Sequence, residues 1–102
     1  MNERIKLIEH FITKCSIAIE EANRLADMNN QLKQAMLNKE VRFCFRKNDG
    51  NIRHAIGTLK EDLLPMIKGN GKPTPIHLQL YFDMEKKSFR SFKKECLISM
   101  QL

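Results

Sequence analysis

Residues 40–58, Glu40-Val41-Arg42-Phe43-Cys44-Phe45-Arg46-Lys47-Asn48-Asp49-Gly50-Asn51-Ile52-Arg53-His54-Ala55-Ile56-Gly57-Thr58, decide the fold. From Val41 to Lys47 apolar and basic residues alternate, the period of a strand with one buried face. Asn48-Asp49-Gly50-Asn51 follows, and Asp-Gly between alternating runs is a strong hairpin signal. A two-residue turn at Asp49-Gly50 sets Phe45 opposite His54 and Phe43 opposite Ile56. Val41, Phe43, Phe45, Ile52, His54 and Ile56 then share an apolar face, which makes His54 a core or rim residue. Arg42, Cys44, Arg46, Arg53, Ala55 and Gly57 share the other, with Arg46 directly across from Arg53.

Downstream the period of two recurs. Lys60–Leu64 reads as a short helical turn that Thr58 caps and Pro65 ends, and residues 68–75, KGNGKPTP, read as a loop. Ile76–Asp83 alternates with Ile76, Leu78, Leu80 and Phe82 inward. Ser88–Phe92 and Cys96–Met100 follow as short strands around a polar turn, Lys93-Lys94-Glu95. Five short strands with tight turns predict a small closed or nearly closed β-barrel over residues 40–102.

Upstream, residues 3–37 hold no Pro or Gly, and Asn2 is positioned to cap a helix. Ile5, Ile8, Ile12, Cys15, Ile19, Ala22 and Ala26 step alternately by three and four, the a/d pattern of a heptad. Phe11, Ala18, Leu25 and Leu32 step by seven beside them. Residues 1–39 are therefore expected to form a helical segment, either one long helix or, with a kink or break near Asn29–Asn30, two pieces. A continuous helix of this length spans ~50 Å, whereas a barrel of some sixty residues is roughly 20–25 Å across. The uncovered stripe implies a homodimer built on Ile5, Ile8, Phe11, Ile12, Ile19 and Leu25; the competing solution folds the helix back on the barrel. The class is α+β: a long N-terminal α-helix, then a small five-stranded β-barrel.

The strings VRFCFRKNDGNIRHAIGT and YFDMEKKSFRSFKKECLI carry a family resemblance. The signature is Asp49-Gly50-x-Ile52-Arg53-x-Ala55-x-Gly57-Thr58, then Tyr81-Phe82-Asp83 and Phe89-Arg90-Ser91-Phe92-Lys93. Over about residues 40–98 the chain resembles a small bacterial family of WYL-type domains. The resemblance implies an Sm-like, SH3-like barrel. By wider analogy it implies a ligand-sensing module of the kind found in transcriptional and phage-defence regulators, with nucleic acid or nucleotides as ligands. It supplies no catalytic residues. Many members carry Trp where this chain has Phe89, and this chain has no Trp.

Charge points the same way. The 102 residues carry a net charge of +6. Residues 40–102 hold twelve Lys/Arg against seven Asp/Glu, and residues 1–39 six against five. Such an excess informs about partners, not fold. Facing arginines repel unless an anion lies between them or a carboxylate, Glu40, Glu61 or Asp83, relieves them, and a guanidinium fork suits phosphate. Arg42, Arg46 and Arg53 are therefore candidate ligands for nucleic acid or a nucleotide-like anion. So are Lys86, Lys87, Arg90, Lys93 and Lys94, a basic run interleaved with Phe89 and Phe92, although both Phe are better spent in a core.

The remaining chemistry is excluded by what it lacks. No nucleophile elbow, P-loop or dinucleotide fingerprint is present, so no enzyme is expected. Cys15, Cys44 and Cys96, like His10, His54 and His77, are scattered without metal-ligand spacing, so no cofactor or metal is expected. An odd number of cysteines, no apolar run long enough for a membrane span and no signal-peptide core lead to the expectation of a cytoplasmic protein without membrane contact.

Overall fold

The computed structural model describes residues 3–64 and 74–102. Two helices, α1 (Glu3–Cys15) and α2 (Ile19–Met36), precede five strands: β1 (Val41–Arg46), β2 (Ile52–Thr58), β3 (Leu78–Asp83), β4 (Ser88–Lys93) and β5 (Leu97–Gln101). Single 3-10 turns occupy Glu61–Leu63 and Lys94–Cys96. The strands form one antiparallel sheet in the order β4-β3-β2-β1-β5. After the second 3-10 turn, β5 returns beside β1, and the inner residues of all five strands meet in one apolar cluster with Leu32 and Met36 of α2. The α+β class and the strands expected from the period of two are thus present. The cap assigned to Asn2, the stop assigned to Pro65 and most of the loop 68–75 lie outside the described residues.

The helical segment differs from expectation in where it breaks. The break falls at Ser16–Ala18, not at Asn29–Asn30. Ser16 takes φ 56°, and the Ile17 amide donates to the Phe11 carbonyl at 3.0 Å, closing the end of α1. The chain folds back, burying Leu7 and Phe11 against Ala22, Leu25 and Ala26, whose small alanines allow a close approach. Arg4 pairs with Asp27 across the two helices. Through Asn29 the helix continues. The Asn29 amide donates to the Leu25 carbonyl at 2.8 Å and to the Lys94 carbonyl at 3.0 Å, so it ties α2 to the barrel instead of ending the helix. Of the residues expected to build a dimer, Phe11 and Leu25 are buried inside this helical hairpin, with Ile8 half-buried beside them. Ile5, Ile12 and Ile19 are exposed.

The β1–β2 hairpin is shifted by one residue from the expected register. Its loop is Asn48-Asp49-Gly50: the Lys47 amide donates to the Asn51 carbonyl at 2.8 Å and the Gly50 amide to the Lys47 carbonyl at 2.9 Å. Gly50 alone has positive φ (90°) here, whereas the two-residue type I′ turn needs it at Asp49 as well. Phe43 therefore faces Ala55, Phe45 faces Arg53 and Val41 faces Gly57. Ala55 and Gly57 lie in the core, while His54 and Ile52 are exposed on the outer face; His54 is not a core residue. Arg46 faces Ile52 instead of Arg53.

Packing explains the shift. A Cβ at Gly57 would sit 2.7 Å from Tyr81 Cδ2 and 2.9 Å from Phe43 Cε1, so the two rings occupy the space that the glycine leaves. The rings of Phe43, Phe45, Tyr81 and Phe92 lie 5.0–6.4 Å apart, a packed aromatic core. Strand β3 is out of phase with expectation for the same reason. Tyr81, not Leu80, fills the barrel, and Leu80 is exposed, while Phe82 packs on Phe89 outside that cluster. Thr58, fully buried, does not cap the 3-10 turn through its first amides. Its hydroxyl lies 3.1 and 3.0 Å from the Met36 and Lys39 carbonyls and accepts the Lys60 amide at 3.0 Å, fastening α2 to β2.

Gly57→Val should destabilise the fold by about 1–3 kcal/mol through overpacking, read as a lower denaturation midpoint in urea. Phe11→Ala should cost about 3–5 kcal/mol, whereas Ile12→Lys, at an exposed position, should change stability by no more than about 0.5 kcal/mol.

Candidate anion-binding site

The turn end of the β1–β2 hairpin and the adjoining faces of β3 and β4 enclose a hollow of about 490 Å3. Its position follows from the loop geometry. The Asp49 carboxylate accepts the Asn51 amide at 2.9 Å, which holds it below the usual carboxylate range, and Lys47 Nζ lies 3.7 Å away. This closed turn leaves Arg46 and Lys47 at the rim on one side and Arg53 on the other.

Asp83, fully buried at the end of β3, organises the second side. One carboxylate oxygen accepts the amides of Glu85 (2.9 Å) and Lys86 (3.0 Å) in the β3–β4 turn. The other pairs with Arg53, and Arg90 Nε lies 4.0 Å from it. Lys87, at φ 54°, closes the turn by donating its amide to the Asp83 carbonyl at 2.8 Å. Arg53 of β2 and Arg90 of β4 are thereby gathered on either side of β3. Lys93, at the end of β4, completes the rim.

Five cations thus surround the hollow: Arg46, Lys47, Arg53, Arg90 and Lys93. Asp49, beside Lys47, is the single lining carboxylate among the described residues. Among the described residues no carboxylate oxygen lies within 4.0 Å of the Arg46 or Lys93 side-chain nitrogens. Phe45, Tyr81 and Phe92 form the floor. Burial pushes the Tyr81 phenol up, against the opposing pull of Arg53, so it stays neutral. Cations over an aromatic, low-dielectric floor attract anions more strongly than the same charges spread over open surface.

Four of the eight candidate basic residues, Arg46, Arg53, Arg90 and Lys93, therefore meet in one place. Arg46 and Arg53 do so without facing each other across the strands, because both lie at the hairpin's turn end. Arg42 is elsewhere, in a hollow of about 550 Å3 with His54 and Glu85, where one carboxylate balances one arginine. Lys86 and Lys87 stand exposed in the β3–β4 turn. Lys94 turns toward α2, in a third hollow of about 350 Å3 with Asn29 and Lys33, and its ammonium is pushed down first by burial and then by Lys33. Sequence reasoning does not single out Lys47, although it adjoins the Asp-Gly turn. Nor does it give Asp83 more than the part of one carboxylate that relieves the arginines.

Among the described residues no helix is long and apolar enough to cross a membrane. Neither a curated protein nor a solved structure matches the chain significantly. A family model does: WYL_2, described as an Sm-like SH3 β-barrel fold, matches residues 29–98, from the middle of α2 into β5. That span contains β1 to β4 and the start of β5, the aromatic core and every cation of the hollow, and on this match the chain belongs to the WYL_2 family of Sm-like SH3 β-barrel domains.

Proposed function

We propose that this domain is a non-enzymatic regulatory module that binds nucleic acid or a nucleotide-like anion at the basic mouth of its barrel. The observation that carries this reading is the convergence of Arg46, Lys47, Arg53, Arg90 and Lys93 on one hollow with a single lining carboxylate. Guanidinium forks and an ammonium at this spacing suit phosphate oxygens. The aromatic floor is mostly buried, so it shapes and dries the hollow more than it stacks bases. Recognition is therefore electrostatic and tolerant of sequence. The analogy with ligand-sensing WYL domains agrees with this class of ligand.

Arg53 and Arg46 play unequal parts. Removing Arg53 leaves the buried Asp83 carboxylate short of its partner, at a cost of about 3–5 kcal/mol of stability. Removing Arg46 or Lys93 breaks no ion pair among the described residues. Arg46→Gln with Lys93→Gln is thus the informative pair.

A second reading, assembly of two copies through the helical hairpin, is favoured by Ile5, Ile12 and Ile19, which remain exposed on it. Light scattering distinguishes the 12.0 kDa single chain from a dimer of twice that mass. Ile12→Lys with Ile19→Lys should convert a dimer to a folded monomer, and a wild-type mass of one chain at high micromolar concentration removes this reading.

Binding of a single-stranded oligonucleotide, followed by fluorescence anisotropy across a salt series, tests the first reading. Wild type should bind at ~50 mM salt, and the Arg46→Gln, Lys93→Gln variant should lower the log–log salt slope by about 1.4 in magnitude, ~0.7 for each phosphate that is no longer neutralised. No detectable binding of DNA, RNA or nucleotides at that salt would sink the proposal. Arg53→Gln should lower stability by about 3–5 kcal/mol in urea denaturation whether or not ligand is present.

A further inference from the structure

A second group of chemistry-bearing side chains lies away from the basic hollow, where the end of α1 meets the 3-10 turn before β5. One ligand atom each from His10, Cys15 and Glu95 lies within 4.8 Å of the other two. Their positions 10, 15 and 95 carry no spacing signal in the sequence; the fold-back of α1 brings them together. Cys15 is the last residue of α1, and the left-handed Ser16 with the Ile17–Phe11 hydrogen bond fixes it there. Its Sγ is 3.4 Å from Glu95 Oε2. The His10 ring is stacked on His77, with centroids 4.9 Å apart and planes inclined by 22°, which keeps it beside the group.

One feature of the group calls for a cation. Glu95 Oε1 is buried and has no hydrogen-bond partner among the described residues. An orphaned carboxylate oxygen in the interior is costly, and an ion is one of the few ways to satisfy it. Imidazole nitrogen, thiolate sulfur and carboxylate oxygen together form a donor set suited to zinc-class ions. Tetrahedral zinc places such donor atoms about 3.3–3.6 Å apart. The Cys15–Glu95 separation already meets this, and rotation of the His10 side chain supplies the remaining closure, on the order of 1 Å at those bond lengths. All three residues are half-buried, which leaves an open side for water as fourth ligand.

We propose that His10, Cys15 and Glu95 bind one zinc-class divalent ion that latches the helical hairpin to the barrel. On binding, the Cys15 S–H bond breaks, its proton passes to solvent and an Sγ–metal bond forms, with no change of oxidation state. The site shares no residue with the basic hollow, so it stands or falls independently of the anion-binding reading.

Titration of the metal-free full chain with Co2+, followed by absorption spectroscopy and then by competition with Zn2+, tests it. One equivalent of Co2+ should give a sulfur-to-cobalt charge-transfer band with the intense visible bands of a tetrahedral ion, and Zn2+ should abolish both. Cys15→Ser should remove the charge-transfer band. His10→Gln and Glu95→Gln should each weaken binding by at least about tenfold, while Cys44→Ser and Cys96→Ser leave it unchanged. A folded wild type that develops no such band overturns the proposal. So does a band that survives Cys15→Ser, or one abolished by Cys96→Ser instead. Should Cys15→Ser fail to fold by circular dichroism, Glu95→Gln decides: unchanged Co2+ affinity refutes the site.

Discussion

A hydrogen in place of a side chain at residue 57 sets the arrangement of the barrel. The Tyr81 and Phe43 rings occupy the volume that a Cβ there would need. A strand can slip by one residue only if the other face can take its place, and no other residue of β2 leaves room for both rings. Gly57 therefore fixes the pairing of β2 with β1 on one side. On the other side it is itself the partner of Asp83 in β3. One steric fact thereby specifies two interfaces of the sheet and brings the buried carboxylate to its place.

From that placement the electrostatics follow. Asp83 can be buried because two backbone amides and the Arg53 guanidinium satisfy it. A buried ion pair of this kind is weak evidence for stability, since dehydrating both partners offsets much of their attraction. Its effect is positional. It directs Arg53 toward the hollow's wall and holds the β3–β4 turn shut, and with Arg90 close by it assembles one side of a cationic rim; among the described residues, the rim's Arg46 and Lys93 carry no such tie.

The class of fold is legible in the sequence because it rests on period, and period survives a shift of phase. The switch from steps of three and four to steps of two at residue 40 identifies helix and barrel alike. Details that depend on phase are less accessible. The Asp-Gly signal marks a hairpin but does not distinguish a two-residue from a three-residue loop, and that single residue moves His54 out of the core and Ala55 and Gly57 into it. In β3 the choice between Leu80 and Tyr81 depends on a cavity opposite, which no local pattern records. The α1–α2 break lacks a glycine or proline to announce it; Ser16 adopts the left-handed conformation under the demand of Phe11 and Leu7 for cover. Of the candidate site, the arginines and Lys93 are legible from charge and spacing. Lys47 and the organising part of Asp83 are not, because both depend on which strand ends meet.

Helix α2 belongs to two hydrophobic clusters at once. Ala22, Leu25 and Ala26 pack with α1, Leu32 and Met36 are embedded in the barrel, and Met28 touches both clusters. Cooperative units in a protein are bounded where such sharing thins out. Beyond Met28 the α1 cluster reaches the barrel chiefly through Ile76, the His10–His77 stack and the Cys15–Glu95 contact. Local opening thus has a natural seam: α1 can detach while the second half of α2 stays anchored through Asn29 and Thr58. On this packing the amides of α1 should exchange through a low-energy opening, and those of β1, β2 and the end of α2 should exchange last. The chain is in this sense a barrel with a separable helical cover, and the seam between them passes through the middle of a single helix.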